Sequence, residues 1–176
     1  MKKTFVVIIA ASFFFLGLSL NNPLEKELIP EKKMTQVGII VEDIESAAKA
    51  WAALLGLEEV PAVSIASGHA SKPTAYRGNA TDATAKLAFF QLDNITIELI
   101  EPDGKPSTWQ EFLDTNGPGI HHIAFNVKDM DAAVKNFDNH GIPEVQHGGW
   151  GTGEYAYLDG SKDLALIIEL LEHYND

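Results

Sequence analysis

Two stretches of the chain repeat one pattern of apolar and polar positions. Gln36-Val37-Gly38-Ile39-Ile40-Val41-Glu42-Asp43-Ile44-Glu45-Ser46-Ala47 aligns, position for position, with His122-Ile123-Ala124-Phe125-Asn126-Val127-Lys128-Asp129-Met130-Asp131-Ala132-Ala133. Each is an apolar strand, then an aspartate, then an alanine-bearing helix start. Such internal repetition marks a duplicated supersecondary unit.

The first unit reads as follows. Thr35 to Val41 alternates, with Val37, Ile39 and Val41 on one face and Gln36, Gly38 and Ile40 on the other. Asp43 suits an N-cap, and Gly56 ends a helix whose stripe is Ala47, Ala48, Trp51, Leu54 and Leu55. Glu58 to Val63 predicts a second strand. Ser64 to Ala85, rich in Ser, Gly, Thr and Ala, predicts a mobile loop. Lys86–Leu92 and Ile95–Glu101 predict strands joined at Asp93-Asn94. After a turn at Pro102-Asp103-Gly104, Ser107 caps a short helix, Thr108–Leu113.

The second unit repeats the plan. It has a strand over Ile120–Val127, a helix over Asp131–Asn139 with Gly141 at its end, and a short strand over Glu144–His147. Gly148-Gly149-Trp150-Gly151-Thr152-Gly153 reads as a flexible lip, since it lacks the Lys-Ser/Thr ending and following helix of a phosphate loop. Tyr155–Leu158 and Leu164–Glu172 complete it as two strands around a turn at Asp159-Gly160. The order β-α-β-β-β, twice, predicts an α+β protein with helices on one face of a mostly antiparallel sheet. The modules run over 34–102 and 119–173, within a folded region of 34–173.

The N-terminus has a different character. Lys2 and Lys3 precede a charge-free apolar run from Thr4 to Leu20, which predicts a signal peptide or an uncleaved N-terminal anchor over residues 1–20. Both place the folded part outside the cytoplasm, as an exported protein that is periplasmic, secreted or tethered to a membrane. Residues 21–33 read as a linker. The formal charge of -12 argues against a nucleic-acid partner, which calls for a basic face. The absence of cysteine removes disulfides, thiolate metal sites and cysteine nucleophiles.

The candidate chemistry lies in polar residues on apolar strands. Gln36 and His122 open the two repeated strands, and Glu98 and Glu169 interrupt Ile95–Ile100 and Leu166–Leu171. If the apolar positions face the helices, Gln36 and His122 face the other side of the sheet, and strand pairing lets Glu98 and Glu169 join them. Each alone suits a surface or structural role. Together they offer a divalent metal four hard or borderline ligands, so zinc, nickel, cobalt, manganese or iron would fit. Alternation turns His121 to the opposite face from His122, as a core or rim residue. Arg77, the one arginine, is a candidate clamp for a substrate carboxylate or phosphate.

With these residues in view, Gly119-Ile120-His121-His122-Ile123-Ala124-Phe125, Ile97-Glu98-Leu99-Ile100-Glu101-Pro102 and Ile167-Ile168-Glu169-Leu170 resemble the vicinal oxygen chelate superfamily over about Met34 to His173. That superfamily includes glyoxalase I and methylmalonyl-CoA epimerase. The resemblance implies two paired βαβββ modules forming a cup around one divalent metal, the glyoxalase/bleomycin resistance fold. It also implies that the ligands come from the first and fourth strands of each module, where Gln36, Glu98, His122 and Glu169 fall. The set Gln/Glu/His/Glu looks like that of zinc-type glyoxalase I. This implies a lyase or isomerase that forms an enediolate from a small 2-oxo or 2-hydroxy substrate, with Glu169 or Glu98 moving the proton. The alternatives are a methylmalonyl-CoA epimerase-like racemase and a non-catalytic, bleomycin-resistance-like binder. Closure of the cup within one chain or across a homodimer stays open at this stage.

Overall fold

The structure is a computed structural model, and it describes residues 27–174. The apolar run of residues 1–20 and residues 21–26 of the linker lie outside the described residues. Among the described residues no helix is long and apolar enough to cross a membrane.

The first module comprises β1 (Met34–Ile40), α1 (Ile44–Leu55), β2 (Ser64–Ala66), β3 (Ala75–Tyr76), β4 (Asn79–Ala80), β5 (Ala85–Gln91) and β6 (Thr96–Pro102). A connecting helix, α2 (Thr108–Asn116), leads to the second module. That module comprises β7 (Gly119–Asn126), α3 (Met130–Asn139), β8 (Glu144–Trp150), β9 (Gly153–Asp159), α4 (Ser161–Leu164) and β10 (Ile167–His173). The strands form one ten-stranded sheet in the order β2-β5-β6-β1-β7-β10-β9-β8-β3-β4. β1 pairs with β6, and β7 with β10, in parallel; the other pairs are antiparallel.

The duplication extends to the register. Gln36 lies beside Thr96, two residues before Glu98, and His122 lies beside Ile167, two residues before Glu169. β1 and β7 meet antiparallel at the centre, with Gly38 opposite His122 and Gln36 opposite Ala124. Exchanging the modules exchanges these two pairs, so the sheet has a local pseudo-two-fold axis there.

Both module helices are anchored by the same device. Asp43 and Asp129 cap α1 and α3 by accepting from the backbone N–H of Ser46 and Ala132. A glutamate from the neighbouring strand adds a second acceptor. Ile44 N–H donates to Glu101 Oε2 at 2.8 Å, and Met130 N–H donates to Glu172 Oε2 at 2.7 Å. These carboxylates meet the positive end of each helix dipole. Beneath α1, Ile44, Ala48 and Ala52 pack on Ala88, Phe90, Ile97 and Leu99. Beneath α3, Met130 and Phe137 pack on Ala156, Leu158, Ile168 and Leu170. α2 lies across one end of the cup, where Trp109 joins Ile40, Ile100 and Tyr157 in a third cluster.

Four expectations need correction. No strand covers Glu58–Val63; Pro61 withholds a ladder donor there, and the edge strand forms later, at Ser64–Ala66. The stretch Ser64–Ala85 is an arm rather than a structureless loop. It carries β2 and the β3–β4 hairpin, which crosses to pair with β8 of the other module. The glycine-rich lip belongs largely to the β8–β9 hairpin. A Cβ at Gly148 would stand 2.8 Å from the Tyr155 ring, so this glycine serves close packing rather than mobility. On α1, Leu54 is exposed, because the small Ala48 and Ala52 set the buried face.

Glu101→Ala and Glu172→Ala are each expected to cost about 1–2 kcal/mol, the worth of a charge-assisted hydrogen bond at a helix start. Urea unfolding would show a lowered midpoint. Equal stability of both variants and the wild type would remove the glutamates from this anchoring role.

Candidate metal centre and its cup

The concave face of the sheet encloses a cavity of about 570 Å³, a size that suits a small-molecule ligand. Gln36 and Glu98 line it from the first module, and Tyr157 and Glu169 from the second, so the cup is built within one chain. At its base Glu98, His122 and Glu169 are all buried, at 6%, 0% and 4% exposure. Their potential ligand atoms lie within 4.8 Å of one another.

The sequence brings these groups together because β6 and β10 carry their carboxylates at matching heights beside β1 and β7. His122 Nε2 stands 3.1 Å from Glu169 Oε2 and 3.5 Å from Glu98 Oε2. The 3.1 Å approach is an ion-pair contact, and among the described residues neither His122 Nε2 nor Glu169 Oε2 has an aligned hydrogen-bond partner. Buried polar atoms of this kind are uncommon and costly. Donor atoms that converge without hydrogen-bond alignment are what a metal site requires once the imidazole gives up its proton, so these residues fit a divalent ion.

Gln36 reaches the same group, donating from Nε2 to Glu98 Oε2 at 2.5 Å. An amide flip would exchange this donor for the acceptor oxygen that a metal needs. All four expected ligands therefore stand together. Arg77 does not join them. It sits in the β3–β4 turn, bonded to both carboxylate oxygens of Glu111 at 2.9 Å, and lines a separate surface hollow with Tyr76.

The expectation that the adjacent histidines face opposite ways is overturned. The β1–β7 register slips between Gly38 and Ile39, leaving His121 as an extra residue. A bulge of this kind breaks alternation. Both imidazoles consequently reach the Tyr157 ring, with centroids 5.3 and 5.0 Å away. A matching slip on β1 makes Thr35, the residue before Gln36, the extra one. The signal available in sequence was only that Gln36 and His122 each follow a polar residue, Thr35 and His121.

The His122 ring lies directly on the Gly38 backbone. A Cβ there would come within 2.0 Å of the ring. At the related crossing Gln36 faces Ala124, where a slimmer side chain tolerates a methyl group. The unequal pair Gly38 and Ala124 thus matches the unequal pair His122 and Gln36.

Charge at the base is set by burial and proximity. Burial disfavours the His122 imidazolium, but the carboxylates of Glu169 and Glu98 outweigh it and push its pKa up to about 10. Burial also raises the Glu98 pKa, against the pull of His122. His121 is driven well below the ordinary histidine value, first by burial and then by the charge of His122.

The model of the Glyoxalase/Bleomycin resistance protein/Dioxygenase superfamily matches residues 35–157. The chain belongs to that superfamily. An uncharacterized protein of Bacillus subtilis, YqjC, is 22% identical over 147 residues, covering 82% of this chain and 94% of its own length. An ethylmalonyl-CoA/methylmalonyl-CoA epimerase of Cereibacter sphaeroides is 32% identical over 102 residues; the match covers 57% of this chain and 65% of the epimerase. Among solved structures, a methylmalonyl-CoA epimerase from Mycobacterium tuberculosis superposes with a TM-score of 0.56 at 22% identity, over 88% of this chain and 95% of the other. At that identity the superposition speaks for the fold.

Two outcomes are expected from this geometry. Gly38→Ala should lower stability by about 1–3 kcal/mol, as overpacking does, and displace His122, seen as a shifted imidazole resonance. In the metal-free protein the raised His122 pKa gives stability that is complete below about pH 6.5 and lost as pH rises towards about 10. Urea midpoints of chelator-treated protein should fall across that window, and His122→Gln should flatten the slope. A flat wild-type profile would contradict the charge arrangement.

Proposed function

We propose that this protein is a metal-dependent lyase or isomerase of the glyoxalase type. Its substrate would be a small 2-oxo or 2-hydroxy compound that reacts through an enediolate. The observation that carries the reading is the buried convergence of Glu98, His122 and Glu169, with Nε2 of His122 and Oε2 of Glu169 left without hydrogen bonds. A binder without chemistry has no need to bury two carboxylates and an imidazole at that cost.

Gln36, Glu98, His122 and Glu169 would hold the ion. When bound, a divalent ion supplies Lewis acidity to neighbouring substrate oxygens and so eases loss of the proton next to a carbonyl. Glu169 would move that proton, since its Oε2 has no hydrogen bond holding it. Glu98 Oε2 accepts from the Gln36 amide as it stands, a bond that the flip needed for Gln36 to hold the ion would break, so Glu98 is the alternative base. The Tyr157 ring and Trp109 both line the cup and would help to keep water from one end of it.

The curated relatives favour a second reading, a CoA-thioester epimerase. Two observations weigh against it. Among the described residues no lysine or arginine lines the cavity. Nearby cations are engaged elsewhere: Lys72 with Glu154, Lys86 with Glu101, Arg77 with Glu111 and Lys105 with Asp82. The phosphates of CoA call for such groups. Export, expected from residues 1–20, belongs to the same proposal, because an exported enzyme would rarely meet a CoA thioester.

Purified protein should carry about one divalent ion, and removing it with a chelator should abolish turnover of a hemithioacetal or related 2-oxo substrate. Glu169→Gln should cut kcat at least 100-fold, the upper part of which reflects lost proton transfer, and His122→Ala should lose the metal. Full metal content in both variants would sink the reading. Turnover of methylmalonyl-CoA in preference to small substrates would decide for the epimerase.

A further inference from the structure

His121 is the buried group that the proposed chemistry leaves unused. It is 2% exposed and held edge-on between the rings of Phe112 and Tyr157. Its Nδ1 stands 3.0 Å from Nδ1 of His122. Two imidazole nitrogens at that distance need one donor and one acceptor.

The direction follows from the other end of His122, whose Nε2 faces Glu169 Oε2 at 3.1 Å and Glu98 Oε2 at 3.5 Å. A neutral His122 that offers Nε2 to a metal carries its one proton on Nδ1, so His122 Nδ1–H is the donor between the rings and His121 Nδ1 the acceptor. A neutral His121 with its lone pair on Nδ1 has its proton on Nε2.

We propose that His121 is a positioning residue whose Nδ1 accepts from His122 Nδ1–H, fixing the ring so that His122 Nε2 is the nitrogen offered to the metal. The role is that of an outer partner to a metal-binding histidine, here played by a second imidazole packed against Phe112 of α2. The bulge explains how adjacent residues of one strand can do this. The inference rests on the metal-site reading.

The test uses the full chain with nitrogen-labelled histidine. Long-range proton–nitrogen spectra of the metal-free wild type should show His121 protonated at Nε2 only, His122 protonated at Nδ1, and a coupling across the N–H···N bond. A proton on His121 Nδ1 would overturn the proposal. Zinc affinity, measured by chelator competition, should weaken about 10- to 100-fold in His121→Phe, which keeps the volume without the acceptor. His121→Asn, whose Oδ1 replaces Nδ1 as acceptor, should stay within about threefold of wild type, on the same scale of outer-partner effects. Equal affinity in His121→Phe, or equal losses in both variants, would also overturn it. Failure of the wild type to hold zinc would bring down the metal reading beneath it. That failure is distinguishable because the nitrogen spectra are recorded without metal.

Discussion

The antiparallel contact of β1 with β7 is the constraint on which the rest depends. It joins the two modules into one sheet and sets Gly38 against His122 and Gln36 against Ala124. From that crossing the parallel partners β6 and β10 bring Glu98 and Glu169 to the same depth on either side. A one-residue slip in this pairing would turn the ligand positions to the wrong face. The two bulges break alternation without shifting the ligands, because each adds its extra residue just before one of them.

The outer strands divide their labour between site and scaffold. Glu98 and Glu101 occupy one strand, and Glu169 and Glu172 the equivalent one. Three residues apart on a strand, they point to opposite faces. The first carboxylate of each pair enters the cup, while the second accepts from the first N–H of the module helix. Docking of each helix is therefore tied to the height of each ligand. This gives a physical reason for the repeated Glu-Leu-Ile-Glu and Glu-Leu-Leu-Glu, beyond the apolar character of their centres.

Much of this was legible in the sequence. Asp43, Gly56 and Ser107 mark helix ends by local chemistry, which the structure follows. The repeat located both modules, and four polar residues on apolar strands located the cup's base. The rest depends on pairings between distant residues. The β3–β4 arm is too short and polar to declare itself, and it exists because β8 offers an edge. Arg77 looked like a substrate clamp because it is the one arginine, but Glu111 claims it from α2. The turn to one side by His121 follows from a register slip, which leaves no periodic trace in β7 itself.

The metal-free geometry bears on how such a centre is preorganised. Two carboxylates and an imidazole buried together repel and dehydrate one another unless a positive charge stands among them. In the protein alone that charge is the His122 proton, which the two glutamates retain far above its ordinary range. A divalent ion held there would compete for the same lone pairs, so its binding would displace a proton rather than assemble a scattered site. The fold has already met the cost of bringing the groups together, through the β1–β7 crossing and the glycine that lets the ring lie flat. If Glu98, Glu169, a neutral His122 and Gln36 hold it as proposed, a divalent ion would leave the centre formally uncharged. Among the described residues no lysine or arginine lines the cavity, so under the metal reading proposed above an incoming substrate would be held through its oxygens near the ion rather than by a distant anionic handle.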